Sequence, residues 1–265
     1  MEIVEFVEKV KQSIMEQLAT EKKPGLVNPT GISSHVDMDY PLMLRGLTVL
    51  NFHLFTLSVA GTMIADLEPK KAAQVLKASG ASVEKELLEA CNGRNVLKGT
   101  LFAVALFSAS FFSLQTRNEQ ITEKSLSAEI AKIASELDYP KDTHGALIRE
   151  SYGVYGAIET AKSGYAVVFN TALPLYRELL KSGLPKADVN RKVLLKLIAT
   201  IDDTCMYQRQ ASLVEDAKKI ADYVFNNYNE ENLDAMCSYF ARTSLSTGGS
   251  GDLLILVILA SKIFG

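Results

Sequence analysis

Residues 246–260 read Ser246-Thr247-Gly248-Gly249-Ser250-Gly251-Asp252-Leu253-Leu254-Ile255-Leu256-Val257-Ile258-Leu259-Ala260, seven small or polar residues followed by eight apolar ones. Eight apolar residues fall well short of the roughly 20 needed to span a bilayer, so the run predicts a buried core helix. The glycines before it let backbone N–H groups approach an anion at the helix N-terminus. Two readings stand: Ser246, Gly248, Gly249, Ser250 and Asp252 form a phosphate-binding turn, or Ser250 or Asp252 is an ordinary N-cap. The turn is not a Walker motif, because GxxxxGK[ST] occurs nowhere in the chain.

Helical spacing extends outward from this stretch over almost the whole chain. Ile3, Val7, Val10, Ile14 and Leu18 recur at steps of three and four and predict a first helix ending near Thr20. Residues 21–39 hold two prolines and two glycines and predict a long ordered loop, a kind of segment that is often functional. Leu42, Leu47, Leu50, Leu54 and Leu57 mark a second helix, and Ala72, Val75 and Leu76 a third that stops before Gly80. Further helices are expected at about 97–114, 123–137, 165–180, 186–201, 214–228 and 232–242. No stretch alternates with period two between turn signals. The expected fold is all-α, a single compact multi-helix domain over residues 1–265 with functional glycine-containing turns.

The chain has 265 residues, 48% of them hydrophobic, and 28 Lys plus Arg against 31 Asp plus Glu. A net charge of -3 gives no general field to attract nucleic acid. Cys91, Cys205 and Cys237 are too scattered for a disulfide framework or a paired zinc site. The N-terminal MEIVEFVEKVKQS carries acids where a secretory signal has basic and then uninterrupted apolar residues. A cytoplasmic protein with no nucleic-acid or membrane partner is expected, and a homo-oligomer is compatible with the composition.

Three polar constellations could carry chemistry. In His35-Val36-Asp37-Met38-Asp39, an extended backbone would project the three polar side chains to one side, suiting magnesium through the carboxylates. Alternatively, Asp39 caps the next helix and Asp37 is solvated. Asp202-Asp203 follows an apolar stripe at Val189, Val193, Leu197 and Ile201. If that helix continues, Arg209 falls on nearly the same face as Asp202, for a salt bridge or for metal or phosphate binding. Asn95 and Lys98 sit in a polar turn before an apolar helix, where Lys98 could neutralise a phosphate or remain solvated. His144 could be a cap, a ligand or an acid–base group, while His53 reads as a core histidine. Ser151, Ser163 and Cys205 have no visible catalytic partner in the sequence.

These segments occur in an order that resembles the triphosphoribosyl-dephospho-CoA synthases, which make the prosthetic-group precursor of citrate lyase and malonate decarboxylase. The resemblance is carried by KPGLV at 23–27, HVDMD at 35–39, Asn95 with Lys98-Gly99, Gly153 with Gly156-Ala157, Ala172-Leu173-Pro174, Asp203-Thr204 with Arg209, and LSTGGSGDLLIL at 245–256. It implies that the ribose 2′-hydroxyl of 3′-dephospho-CoA attacks the anomeric carbon of ATP and expels adenine. The roles it suggests are catalysis by Asp37 and Asp203, Mg2+ binding by Asp37, Asp39 and Asp203, and nucleotide or phosphate binding by Lys23, Asn95, Lys98, Arg209 and the 246–252 turn.

The chain departs from the family pattern at several positions. Leu97 stands in place of a common histidine, Ile158 and Thr160 in place of arginine and glutamate, Cys205 in place of asparagine, and Gln210 in place of glycine. Two other readings are open on sequence alone. An all-α prenyl-diphosphate enzyme would use two acid clusters to hold magnesium and diphosphate, and a diverged nucleotide-binding or interaction protein would keep the core without catalysis.

Overall fold

The apolar stripe of the first segment forms α1 (Ile3–Ala19), which buries Phe6, Val7, Val10, Ile14 and Leu18 and ends where Thr20 turns extended. The computed structural model describes residues 1–138 and 144–265, with the backbone alone at 144 and 145. Among the described residues there are helices and turns but no strand. Following α1 are α2 (Tyr40–Met63), α3 (Pro69–Ala90), α4 (Lys98–Thr116), α5 (Glu123–Ala134), α6 (His144–Tyr152) and α7 (Ala157–Lys162). The chain continues through α8 (Leu173–Lys181), α9 (Lys186–Thr200), α10 (Thr204–Gln210), α11 (Val214–Asn226), α12 (Glu230–Arg242) and α13 (Gly248–Phe264).

Two helices form the axis of the core. α4 and α13 are apolar on all sides and buried along most of their length, as expected of helices that never face solvent. α13 packs against α1, α4, α8 and α9, and α4 against α2, α3, α5 and α13. Between α1 and α4, the Phe6 ring meets Phe111 and Phe112 at centroid distances of 4.9 and 5.0 Å. Among the described residues two helices, α2 and α4, are long and apolar enough to cross a membrane. The span-length stretch of α4 is mostly inside the core, whereas that of α2 is only one-third buried.

Several boundaries differ from the sequence expectation. α3 runs through Gly80, because Leu76, Val83 and Leu87 continue one buried face and outweigh the roughly 1 kcal/mol helix penalty of glycine. A π-helical turn at Val168–Ala172 precedes Pro174, whose ring cannot fit regular α-helical bonding. α9 ends at Thr200, within one residue of the expected 201, so the helix does not continue past the acids toward Arg209. The short helices α6, α7 and α10 were not anticipated, since few turns leave little periodicity to read. At the C-terminal end, Gly248, Gly249 and Gly251 lie in the first turn of α13 and not in a turn ahead of it.

Candidate active site

The break after α9 creates the centre of the site. Ile201 is extended and Asp203 becomes the N-cap of α10, accepting from Cys205 N–H at 3.0 Å. The same carboxylate reaches α13. Its Oδ1 accepts from Gly249 N–H at 3.2 Å, and its Oδ2 accepts from the Ser250 N–H at 2.7 Å and hydroxyl at 2.9 Å. Helix first turns leave N–H groups without intrahelical partners, and Asp203 satisfies them for two helices at once. Neither Ser250 nor Asp252 is the cap of α13, because Thr247 holds that position without a side-chain capping bond.

Glycine permits the close approach. A Cβ on Gly249 would lie 3.1 Å from Asp203 Oδ1, and one on Gly248 3.0 Å from Cys205 Sγ. On the other side, a Cβ on Gly99 would lie 1.9 Å from Asp252 Oδ2. Asp252 Oδ1 accepts from the Thr100 hydroxyl at 2.6 Å. The N-termini of α4, α10 and α13 thus converge on two carboxylates, Asp203 and Asp252, in an arrangement whose helix dipoles favour negative charge.

Burial acts against that charge. It raises the Asp203 pKa, while the donors from Ser250, Cys205 and Gly249 oppose the rise. Burial also pushes Asp252 up to about 7, with the Thr100 hydroxyl opposing and the charge of Asp203 adding to the shift. The half-buried Cys205 thiol is pushed well above its ordinary value, first by desolvation and then by the two acids, so it is no activated thiolate.

The 21–39 segment folds over this centre. Thr247 donates its hydroxyl to Pro24 O at 2.7 Å and its N–H to Gly25 O at 3.1 Å. Gly25 has φ +80°, and a Cβ there would lie 2.6 Å from Thr247 Oγ1, so both backbone and space require glycine. His35 Nε2 lies 3.3 Å from Gly25 O and 3.2 Å from Ser246 Oγ. Because Gly25 O can only accept, these partners assign the proton to Nε2 and leave Nδ1 to accept from Arg209 Nη2 at 3.4 Å. Burial, then Arg209, lowers the His35 pKa and keeps the ring neutral near pH 7. Arg209 also donates to Asp37 Oδ1 at 3.2 Å. The Asp37 carboxyl sits below its ordinary pKa, since the bond from Arg209 and its charge outweigh the cost of burial.

Other sequence candidates are placed differently. Lys23 is 1% exposed and donates to Gln17 O and Leu18 O, each at 2.8 Å, closing the C-terminus of α1. Its amine is not presented to a phosphate, and burial lowers its pKa to about 7. Gly249 and Ser250 N–H point at Asp203, so the anion in the glycine cradle belongs to the protein itself. Lys98 pairs with Glu84 at 2.5 Å and shares a small crevice with Arg94 and the exposed Asn95, on the flank of the α4 N-terminus. His53 pairs with Glu86 at 2.9 Å and is not a core histidine, while the side chain of His144 lies outside the described residues.

The expected magnesium ligands do not converge. Asp39 caps α2 by accepting from Leu42 N–H at 2.8 Å, Asp37 faces Arg209, and Asp203 is occupied by α10 and α13. Among the described residues no three acids, histidines or cysteines are grouped to hold a metal ion. These residues do not fit a resident magnesium cage. Asp202 is likewise drawn away from Arg209, accepting from Lys218 at 2.6 Å, so the two acid pairs needed by a prenyl-diphosphate enzyme are each split.

Sequence reasoning gave no role to Gly99 or Thr100 and left His35 as one ligand among three. Gly99 could have been found from its place in a helix first turn, where a residue without a side chain marks close approach. The contacts of Thr100 and His35 join segments more than 150 positions apart and leave no local signal.

What this pair of carboxylates at meeting helix N-termini serves is set by the family to which the chain belongs. The model for ATP:dephospho-CoA triphosphoribosyl transferase matches residues 5–264, and the chain belongs to that family. It is 26% identical over 265 residues to a probable 2-(5''-triphosphoribosyl)-3'-dephosphocoenzyme-A synthase of Acinetobacter calcoaceticus, covering 96% of this chain and 89% of the relative. A protein named as a probable synthase 1 of the same kind in Salmonella choleraesuis (strain SC-B67) is 27% identical over 261 residues, covering 92% of this chain and 86% of that one. No solved structure is a significant match.

Proposed function

We propose that the chain transfers the triphosphoribosyl group of ATP to the 2′-hydroxyl of 3′-dephospho-CoA. The 2′-oxygen bonds to C1′ of ATP as the C1′–N9 bond breaks, and adenine leaves with the bonding electrons. The proton lost by the hydroxyl balances the one gained by adenine. Family membership sets the reaction class. The observation that carries the assignment to this site is the convergence of three helix N-termini on Asp203 and Asp252.

Within that arrangement Asp252 suits the acid that protonates adenine, since a pKa of about 7 keeps it substantially protonated at neutral pH. Asp203, whose four hydrogen bonds are already made within the protein, positions α10 and α13 and places negative charge beside the cationic sugar of the transition state. Arg209, 29% exposed on its side chain and held by Asp37 and His35, is the cation best placed to meet the triphosphate. Magnesium enters as the companion of ATP, bound mainly by phosphates, in keeping with its habit of using few protein ligands.

Dephospho-CoA lacking the ribose 2′-hydroxyl tests the assignment of the nucleophile. It should compete with the natural substrate yet support no adenine release. Adenine release at the ordinary rate with this analogue would mean that water or the ribose 3′-hydroxyl attacks C1′, contrary to the proposal.

A further inference from the structure

The outer face of α2 is covered by no element among the described residues. The helix packs on α1, α3 and α4 through Leu47, Leu50, Leu54 and Leu57, while Phe52, Phe55 and Met63 on its far side are 79%, 49% and 69% exposed. Positions 45, 48, 52, 55, 59 and 63 follow steps of three and four and so form one stripe along the helix. Aromatic side chains this exposed, in a continuous row, mark an association surface rather than scattered surface residues.

The stripe is close to self-complementary. Arg45 stands at one end, Asp66 just beyond the other, and the two phenylalanines lie near the middle. Arg45 and Asp66 are both exposed, and neither has an ion-pair partner among the described residues. We propose that the outer face of α2 is a two-fold homodimer interface in which the helices of two copies run antiparallel. With the axis crossing between residues 55 and 56, Phe55 packs against its own counterpart, Phe52 packs against Val59 of the partner subunit, and Arg45 meets Asp66 of the partner subunit at both ends. A parallel pairing would set like charges together. The same patch used twice is the form a C2 interface takes. The face carries one arginine and no basic cluster, which favours a second copy over a lipid surface.

Sedimentation equilibrium of the full chain over a wide concentration range tests this. The expected mass is twice the 29.0 kDa of one chain. Phe52→Glu should give a monomer with an unchanged helical spectrum. Arg45→Glu and Asp66→Arg should each weaken dimerisation about tenfold or more, and the two together should restore it. The charge swap keeps the test decisive if Phe52→Glu fails to fold. A wild-type monomer at all concentrations would overturn the proposal, as would a dimer indifferent to Phe52→Glu and both charge changes. A monomer that co-sediments with phosphatidylcholine–phosphatidylglycerol vesicles would instead assign the face to membrane.

Discussion

Ser250 of α13 donates both its backbone N–H and its hydroxyl to Oδ2 of Asp203, a residue 47 positions earlier, at 2.7 and 2.9 Å. Asp203 also caps α10, so one buried carboxylate fixes the relative placement of two helices. Asp203→Asn keeps the shape but turns an amide N–H2 toward backbone N–H groups that can only donate. We expect it to destabilise the protein by about 2–4 kcal/mol. Urea unfolding checks this. A stability equal to wild type together with lost turnover would assign Asp203 a chemical rather than a positioning role.

Gly99 tests the placement of Asp252. Alanine ordinarily favours a helix, by about 1 kcal/mol over glycine, yet a Cβ here would occupy the space of Asp252 Oδ2. Gly99→Ala should lower kcat about tenfold or more while circular dichroism stays that of a folded helical protein. Undiminished kcat would show that the position of Asp252 is immaterial to the reaction.

The raised pKa of Asp252 has a defined sign in stability. Its native value of about 7 lies above the ordinary 3.8, so between these values the folded chain binds more protons than the unfolded one. Asp252 therefore makes stability fall as pH rises from about 4 through 7, by the order of a few kcal/mol. Asp252→Asn should flatten this part of the curve, measured by urea titration at successive pH values. A wild-type curve that rises over the same window in step with the variant would contradict the assignment.

Lys23 distinguishes a structural amine from a phosphate ligand. Lys23→Met strands the Gln17 and Leu18 carbonyls and should cost roughly 2–4 kcal/mol of stability. The KM for ATP should change little in the fraction that folds. A large rise in KM with unaltered stability would restore the phosphate role.

Much of the fold was legible because helical periodicity is local. α1, α4, α9 and α11 lie within a few residues of the stripes that predict them. The site was legible as a set of segments but not as a set of contacts. Asp203, Asp252, Asp37 and Arg209 do gather around the α10 and α13 N-termini and the overlying segment. What spacing could not convey is which partner each chooses. Arg209 looked aligned with Asp202 only on the premise of a continuous helix, and the break at Ile201 gives it to Asp37 instead. The glycine cradle was read as open to a phosphate because nothing local reveals that Asp203 fills it. Lys23 carries the same lesson, since a lysine beside a proline and a glycine gives no hint that it is folded under α1. Leu97, buried and with φ +58°, takes a left-handed conformation at the start of α4, one that histidine adopts more readily than leucine.

The central claim is that this chain joins ATP to dephospho-CoA through C1′. Mass detection after incubating the pure protein with ATP, magnesium and dephospho-CoA addresses it most directly. The prediction is equimolar free adenine and triphosphoribosyl adduct, neither forming when dephospho-CoA is omitted. Folded protein that releases no adenine from the complete mixture would contradict the account.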